Sequence, residues 1–373
     1  MDEGENVNKI EFGNCLEIMQ KWIDEGVKVN TCVTSPPYYG LRDYGTATWI
    51  GGDKDCNHID DEKLNERNRQ KKSMISVGEK IDGSIRTRSH DSEIGSQWQF
   101  LNNCKKCGAI RQDLQLGLEE TPKQYVDSMV RVFRLVRELL TDDGTLWVNI
   151  GDSYAMSSMR GKNSSFNSID QSKQGIAHID RNIPENMKAK DLVGIPWMLA
   201  FALREDGWYL RQDIIWHKPN PMPESVKDRC TKSHEYIFLL SKSPKYYFDN
   251  EAIKEDAVTP AGTKGAKGSV ERQQQKGVNA RPPEYAVYNG KRNKRDVWSV
   301  TVKPYKGAHF ATFPVDLIEP CVKAGCPDGG IVLDPFMGSG TTAQVAIANN
   351  KQYLGCELNT EYKHLQDQRI GMI

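Results

Sequence analysis

Along most of this 373-residue chain, segments of strand character alternate with segments of helical character, and this alternation constrains the fold more than any other feature. Strand character, meaning short β-branched or apolar runs, is found at 9–13, 29–34, 145–151, 208–218, 234–243, 331–334 and 353–357. Helical character, meaning apolar residues at helical spacing, is found at 15–26, 121–140, 195–206, within 309–325 and from 341 onward. Strands separated by helices predict one doubly wound, mainly parallel α/β sheet.

Two long stretches fall outside this alternation. Residues 46–117 begin rich in glycine and continue charged and poor in apolar side chains, so we expect an insertion there. The stretch 261–310 holds eleven lysines and arginines against three acidic residues, with tyrosines and a tryptophan interleaved. Although the net charge of the whole chain is zero, this local excess favours a surface that faces phosphates over a merely solvated loop.

The remaining composition narrows the class of protein. No apolar run approaches the ~18 residues that a membrane-spanning helix needs, and the acidic N-terminal segment lacks the apolar core of a signal peptide. Nine cysteines without a secretory signal are typical of reduced thiols or metal ligands rather than of a disulfide framework. We therefore expect a protein of the cytosol with no membrane partner.

The strand at 29–34 ends in Ser35-Pro36-Pro37-Tyr38. Two consecutive prolines exclude a helix and remove two backbone donors, so the strand must stop there. The result is a rigid corner that presents a hydroxyl, a carbonyl and an aromatic ring. Because ligands in open α/β sheets bind beyond the carboxyl ends of strands, this corner is a candidate wall of a binding cleft.

A second strand end carries the pattern of a nucleotide-binding unit. The strand 331–334 runs into a glycine-containing turn, a helix starts at Thr341, and the next strand ends in Glu357. Glycines let the backbone approach a ligand, and an acid at that position can accept from ribose hydroxyls. The turn lacks a P-loop lysine, and Asp334 would repel a pyrophosphate. A nucleoside with a positive sulfonium, S-adenosylmethionine, therefore fits better than NAD or ATP.

The sequence TSPPY, followed far downstream by DPFMGSGTT, resembles the amino-methyltransferases of DNA, which methylate the exocyclic nitrogen of cytosine or adenine. The order of the two motifs resembles that of their β class, whose Rossmann-like methyltransferase sheet is circularly permuted. The resemblance covers 9–45 and about 118–365. It implies S-adenosylmethionine as the cofactor and double-stranded DNA as the substrate, and it raises a cognate restriction endonuclease as a further partner.

The same resemblance implies the residues of the site. In the catalytic group Ser35, Pro36, Pro37 and Tyr38, the hydroxyl of the serine and the first proline's carbonyl would accept from the target amine, and the tyrosine would stack on a flipped base. The residues implied for cofactor binding are Asn14, Cys15, Thr34, His309, Phe313, Pro314, Asp334, Pro335, Phe336, Gly338, Ser339, Gly340, Thr341 and Glu357. At position 14 the family more often has Asp.

These assignments divide the chain into four parts. Residues 1–45 and 118–217 are expected to form the catalytic part of the methyltransferase domain, and 46–117 the insertion. Residues 218–306 are expected to form a loop-rich target-recognition region, and 307–373 the S-adenosylmethionine-binding part.

Four potential metal ligands lie at the two ends of the insertion: Cys56, His58, Cys104 and Cys107. The segment Cys-x₂-Cys-Gly resembles a zinc knuckle, and the Cys-x-His pair can complete a Cys₃His tetrahedron. A structural zinc would stabilise an insertion that lacks its own core. Ordinary reduced thiols are the alternative.

Other activities agree less well with the sequence. Ser before Pro-Pro-Tyr resembles the cytosine-N4 members, so cytosine N4 is the expected target and adenine N6 the alternative. A carbon-5 cytosine methyltransferase needs a nucleophilic Cys in a Pro-Cys motif downstream of the glycine turn, whereas Cys321 lies upstream, in a predicted helix. A glutamine or RNA methyltransferase would have Asn-Pro-Pro-Tyr after that turn, whereas here the motif has Ser in place of Asn and comes before the turn. A non-catalytic zinc-containing DNA-binding protein would leave Ser35–Tyr38 and Glu357 unexplained.

Overall fold

The computed structural model describes residues 7–40, 46–56, 104, 106–155, 186–258, 290–302 and 313–371. Two of the expected site residues, His58 and His309, lie outside the described residues. Within the described ranges, no helix combines the length and the apolar character needed to cross a membrane.

The sheet strands and helices agree with the predicted alternation. The helices are α1 (Cys15–Asp24), α2 (Pro122–Leu139), α3 (Ile195–Glu205), α4 (Val315–Gly325), α5 (Thr341–Ala348) and α6 (Lys363–Ile370). The strands are β1 (Lys9–Phe12), β2 (Val29–Thr34), β3 (Thr48–Ile50), β4 (Ile110–Gln112), β5 (Leu140–Ile150), β6 (Tyr209–His217), β7 (His234–Ser241), β8 (Glu255–Asp256), β9 (Lys291–Arg292), β10 (Val297–Ser299), β11 (Ile331–Asp334) and β12 (Gln352–Glu357).

Eight strands form one sheet in the order β1-β12-β11-β2-β5-β7-β6-β10. Every neighbouring pair is parallel except the two that involve β7, which runs antiparallel to β5 and β6. The predicted mainly parallel sheet with helices is therefore confirmed. Because β7 is reversed, its first residue rather than its last lies at the edge where the other strands end.

Helices cover both faces of the sheet. In β2, Cys32 packs into a buried cluster with α1, α2 and α3, whereas its neighbour Val33 packs with α4 and α5 on the other face. In β5, Leu146 and Trp147 divide between the same two clusters. Successive side chains of a strand point to opposite faces, so these strands are buried on both sides.

The start of α2 shows how local sequence sets an element boundary. The Thr121 hydroxyl accepts from the Gln124 N–H at 3.2 Å, and the Gln124 side chain accepts from the Thr121 N–H at 3.1 Å. Together they form a capping box, which satisfies two of the donors that a helix start leaves unpaired. Pro122 occupies the first turn, where its missing N–H costs nothing.

Two features were not predicted from the sequence. The strand β10 adds three residues to the edge of the sheet beside β6, too few for a periodic pattern to show. The expected insertion contains β3 and β4, which pair antiparallel from Thr48↔Gln112 to Ile50↔Ile110. This pairing places the two ends of the segment 51–109 next to each other.

Candidate active site

Both predicted motifs begin at the same edge of the sheet. Ser35 directly follows β2, and the glycine-containing turn at 335–340 directly follows β11, the neighbouring parallel strand. Parallel neighbours end at the same edge, so the two motifs lie side by side although Thr34 and Asp334 are 300 residues apart in the chain. The expectation that they share one cleft edge is consistent with this geometry.

A buried carboxylate connects the two motifs directly. The Thr34 hydroxyl donates to one oxygen of Asp334 at 2.6 Å, and the Thr342 hydroxyl donates to the other oxygen at 2.6 Å. The Phe336 N–H donates to the first oxygen at 3.0 Å. Asp334 is 1% exposed, and burial raises its pKa to about 6 against the effect of these three donors. Since its oxygens are engaged by protein donors, Asp334 braces the two motifs from within rather than lining an open surface.

Glu357, at the end of β12, reaches the glycine turn. Its carboxylate accepts from the Gly338 N–H at 2.7 Å and from the Asn359 N–H at 2.8 Å. Burial raises the pKa of Glu357 to about 7, and the nearby charge of Asp334 acts in the same direction. The turn needs a glycine at position 338, whose φ of 54° is unfavourable for other residues. The buried carboxylates of Asp334 and Glu357 thus both accept hydrogen bonds from the backbone of this turn.

The rest of the turn combines buried groups with one unpaired hydroxyl. Ser339 is 4% exposed, and its oxygen has no hydrogen-bond partner among the residues that the structure describes. Pro335 is buried, Gly340 caps α5 with a φ of 86°, and the Thr341 hydroxyl accepts from Arg369. Buried hydroxyls normally have a partner. The Ser339 hydroxyl is therefore available to a ligand held in this turn, which fits the expected nucleoside cofactor.

The expected cofactor residues near the chain start lie at the same edge. Asn14 caps α1, where its side-chain oxygen accepts from the Leu16 N–H at 3.0 Å. Cys15 is buried, which raises the pKa of its thiol to about 12. The Gly13 N–H donates to the Glu357 carbonyl at 2.8 Å, which connects the start of α1 to the end of β12. Asn14 therefore has a structural role that the sequence pattern alone did not show.

Phe313 and Pro314 lie at the start of α4. Pro314 is the residue before the first turn of this helix, and Phe313 packs partly buried against the cluster that contains α4 and α5. Because α4 leads back to the beginning of β11, its first residues lie at the edge where β11 ends. The structure thus brings all described residues of the expected cofactor set to one edge of the sheet.

The Ser-Pro-Pro-Tyr corner is held by the segment that leads into α2. The Tyr125 hydroxyl donates to the Pro37 carbonyl at 2.9 Å, and the Gly40 N–H donates to the Gly117 carbonyl at 2.9 Å. The Pro36 carbonyl, in contrast, accepts no hydrogen bond from the residues that the structure describes. One carbonyl of the corner is fixed by the protein and the other remains available.

Three residues, Asn149, Gly151 and Glu235, make contacts with Tyr38 that the sequence analysis did not predict. Its hydroxyl donates to Glu235 at 2.8 Å and lies 3.2 Å from the Asn149 side-chain oxygen. A Cβ atom on Gly151 would lie 2.7 Å from the Tyr38 ring, so only glycine fits there. Burial and the charge of Glu235 raise the pKa of Tyr38, which keeps the phenol neutral. An amide at 149 within an apolar strand was a visible signal, whereas nothing in the local sequence indicates the roles of positions 151 and 235.

Three of the four expected metal ligands come together. The sulfur atoms of Cys56, Cys104 and Cys107 all lie within 4.8 Å of one another, with 3.9 Å between the first two. Cys56 follows β3 and the other two precede β4, so the pairing of these strands assembles the cluster. Gly52 passes so close that a Cβ atom there would lie 2.8 Å from the Cys107 sulfur. Three thiols at this spacing fit a tetrahedral zinc site.

Cys321, the thiol that a carbon-5 mechanism would need, lies in the core. It is 1% exposed within α4, and its thiol donates to the Leu317 carbonyl at 3.9 Å. Burial raises its pKa well above the ordinary value. A buried thiol held in the neutral form is a poor nucleophile, so its placement agrees with the expected packing role.

This chain is similar in sequence to known proteins over most of its length. The family model described as DNA methylase matches residues 29–368. The type II methyltransferase M.Cfr9I of Citrobacter freundii is 48% identical over 69% of this chain and 75% of its own length. The type II methyltransferase M.SmaI of Serratia marcescens is 46% identical over 69% and 77%.

A more distant relative extends over almost the whole chain. The type II methyltransferase M.SfiI of Streptomyces fimbriatus is 26% identical over 94% of this chain and 88% of its own length. The family model spans most of the chain, and two relatives are nearly half identical to it over 69% of its length. The chain belongs to the DNA methylase family of N4-cytosine and N6-adenine amino-methyltransferases.

Proposed function

We propose that this chain transfers a methyl group from S-adenosylmethionine to the exocyclic amine of a flipped base in double-stranded DNA, and that the base is cytosine, methylated at N4. The observation that carries the proposal is the pair of hydrogen bonds from Thr34 and Thr342 to Asp334. They place the Ser35 corner beside the glycine turn, as a transfer between cofactor and base requires. Ser at position 35 supports cytosine over the alternative, adenine N6.

The residues at the sheet edge suit the cofactor. When bound, S-adenosylmethionine supplies an electrophilic methyl group on a sulfonium. Glu357 and the Gly338 turn would hold the ribose, with the Ser339 hydroxyl as an additional partner. Asn14 and Cys15 would lie at the adenine, and Phe313, Pro314 and His309 at the methionine part.

The corner residues would activate the amine. The lone pair of an exocyclic amine is delocalised into its ring, so the nitrogen is a poor nucleophile. The Ser35 hydroxyl and the Pro36 carbonyl would accept from its two N–H bonds and stabilise the positive charge that develops on it. Because the prolines and Tyr125 hold the backbone of the corner, the Pro36 carbonyl keeps its direction. Stacking on Tyr38, worth about 1–3 kcal/mol, offsets much of the few kcal/mol that base flipping costs.

The proposal assigns target recognition to 218–306. In the described part of its basic stretch, Lys291 pairs with Asp256, and Arg292 and Arg295 pair with Glu255. These ion pairs neutralise much of the positive charge of the three side chains. The described part of the stretch therefore supports contact with DNA phosphates less strongly than the number of its lysines and arginines suggests. The same proposal includes the predicted division of the chain into four parts and the circular permutation of the sheet. It also includes a cognate endonuclease as a partner and a location in the cytosol.

We also propose a structural zinc ion at Cys56, Cys104 and Cys107, with His58 as the fourth ligand. The three sulfur atoms within 4.8 Å of one another support it. A site whose four positions are all filled by protein has no place for substrate, so its role would be to stabilise the ends of the insertion.

Loss of the corner groups is expected to abolish most transfer. Ser35→Ala removes one acceptor and should lower kcat about 100-fold, the size of effect seen for one oxyanion-type contact. Tyr38→Ala removes the stacking surface and should lower kcat/KM about 10- to 100-fold. The measurement is transfer of labelled methyl from S-adenosylmethionine to unmethylated DNA. Cys321→Ala is the control and should retain activity; unchanged transfer in both corner variants would remove them from the mechanism.

The target base is determined by nucleoside mass spectrometry of DNA methylated by the wild-type protein. We expect N4-methylcytosine, because serine at position 35 resembles the cytosine-specific members. Finding N6-methyladenine would move the chain to the alternative specificity, and 5-methylcytosine would contradict the amine mechanism. A protein that binds DNA but transfers no label would support the non-catalytic alternative.

Binding of S-adenosylmethionine should weaken as the pH falls below about 7. Burial raises the pKa of Glu357 to about 7, and ribose hydroxyls donate to its carboxylate form, so protonation opposes binding. Because the pKa of Glu357 is higher in the folded than in the unfolded state, this group stabilises the fold most at low pH. Its contribution to the free energy of unfolding is lost as the pH rises through about 7. Mild acid therefore does not destabilise the fold through Glu357, so local unfolding at this residue would not account for weaker cofactor binding at low pH.

Titration calorimetry between about pH 6 and pH 8 tests this dependence. Glu357→Gln should bind about 10-fold more weakly at pH 8, as expected for the loss of a charged hydrogen-bond acceptor, and its affinity should change little with pH. Glu361→Gln changes an exposed acid four residues further along the chain, and this variant should behave as the wild type. A wild-type affinity that does not change across this range would refute the assigned role of Glu357.

The zinc site is tested by metal analysis of the purified protein, which should contain one zinc ion per chain. Cys104→Ser should lose the metal and lower the thermal unfolding midpoint, because the ends of the insertion lose their connection. Cys230→Ser, at an exposed cysteine outside the cluster, should retain both. Wild-type protein without stoichiometric metal, or a Cys104→Ser variant as stable as the wild type, would exclude the site.

A further inference from the structure

The hydroxyl of Tyr38 has more acceptors than it has protons. It lies 2.8 Å from a carboxylate oxygen of Glu235 and 3.2 Å from the side-chain oxygen of Asn149. The amide of Asn149 donates in turn to the Tyr236 carbonyl at 3.1 Å, which fixes its orientation. The shorter contact and the negative charge make Glu235 the stronger partner, because hydrogen bonds to ionised groups exceed those to neutral ones.

Glu235 is itself held in place on the side away from the tyrosine. Its second carboxylate oxygen pairs with the Lys218 ammonium, and both side chains are mostly buried, at 16% and 19% exposed. The Lys218 ammonium also lies 4.3 Å from the centre of the Trp216 ring. Trp216 is opposite Glu235 in the antiparallel pair of β6 and β7. The carboxylate therefore has one fixed position, from which it contacts Tyr38.

The reversed direction of β7 makes this contact possible. Glu235 is the second residue of β7, and because that strand is antiparallel to β5 its beginning lies at the active-site edge. Gly151 follows β5 at the same edge, and a Cβ atom there would lie 2.7 Å from the Tyr38 ring and 3.3 Å from the Glu235 carboxyl carbon. The missing side chain lets the ring and the carboxylate approach. Tyr38 is thus confined along its edge by Gly151 and at its hydroxyl by Glu235.

We propose that Glu235 is a positioning residue, which with Lys218 fixes the Tyr38 ring in the orientation needed to stack on the flipped base. The inference rests on the proposed function, in which that ring stacks on the target base. A freely turning ring would lose rotational freedom each time a base docked. A ring already held at its hydroxyl avoids that loss at the moment of binding. Glu235 itself acts through Tyr38 and makes no contact with the cofactor in this scheme.

Two substitutions at position 235 separate positioning from simple loss of a charge. Glu235→Gln keeps an oxygen that can accept from the phenol, and it should lower kcat/KM for DNA about 10-fold. Glu235→Ala removes the acceptor and should lower it about 100-fold, the range expected for a hydrogen bond to a charged group. Affinity for S-adenosylmethionine should be unchanged in both. Asp206→Asn is the matched control, since Asp206 is a similarly buried acid, 12% exposed and paired with Arg134 at the opposite edge.

A double-mutant cycle with Tyr38→Phe provides the decisive measurement. Phenylalanine keeps the ring and removes the hydroxyl, so Glu235→Gln and Glu235→Ala should differ less than twofold from each other in that background. If the tenfold difference between them persists without the hydroxyl, Glu235 acts by another route and the proposal is overturned. The cycle is interpretable because the two residues are in direct contact.

The outcome also separates this inference from the proposed function. If Tyr38→Ala transfers methyl groups as fast as the wild type, the stacking role fails and the inference fails with it. If Tyr38→Ala is inactive while both Glu235 variants are fully active, stacking stands and only the positioning role is refuted. Thermal unfolding of each variant identifies any loss of activity that comes from misfolding; Glu235→Gln, which preserves shape, is expected to fold even if Glu235→Ala does not.

Discussion

The buried carboxylate of Asp334 is the interaction on which the site depends. An ionised group enclosed in protein is unfavourable unless donors surround it, and here Thr34, Thr342 and the Phe336 N–H supply them. These donors come from the end of β2, the start of α5 and the turn between β11 and α5. Thr342 is the donor to one of the two oxygens, so removing its hydroxyl would leave a buried acceptor unsatisfied, at a cost of about 1–3 kcal/mol. One side chain thus fixes the position of the proline corner relative to the glycine turn.

Much of the fold could be predicted because its signals are local. The capping box at Thr121, the strand that ends at the Ser35 corner and the helix that starts at Thr341 each arise from residues adjacent in sequence. The direction of β7 could not be predicted in this way. Its sequence HEYIFLLS is that of a buried strand whichever way it runs, and only its pairing with β5 and β6 decides the direction.

The candidate site shows the same difference between local signals and contacts that form only on folding. The corner and the glycine turn are short motifs whose chemistry can be inferred from residue type, and the cysteine cluster was indicated by its spacing. The contacts of Tyr38 with Asn149, Gly151 and Glu235 were not predicted, because these residues are distant in sequence and meet it only in the folded sheet. Asp334 was expected beside the cofactor, yet its contacts show a bracing role that no residue pattern indicates. Local sequence indicates candidate chemical groups more readily than it indicates the partners that hold them.

The pairing of β3 with β4 has a consequence for how chains of this kind can diversify. The segment 51–109 begins after Ile50 and ends before Ile110, two positions that face each other in one ladder. The entropy of closing a loop grows slowly with its length, by about 0.6 kcal/mol for each doubling. A change in the length of the segment between these two strands therefore adds little to the entropy cost of closing it. The eight strands of the large sheet, whose ends carry the candidate site, are separate from this ladder and need not change with it.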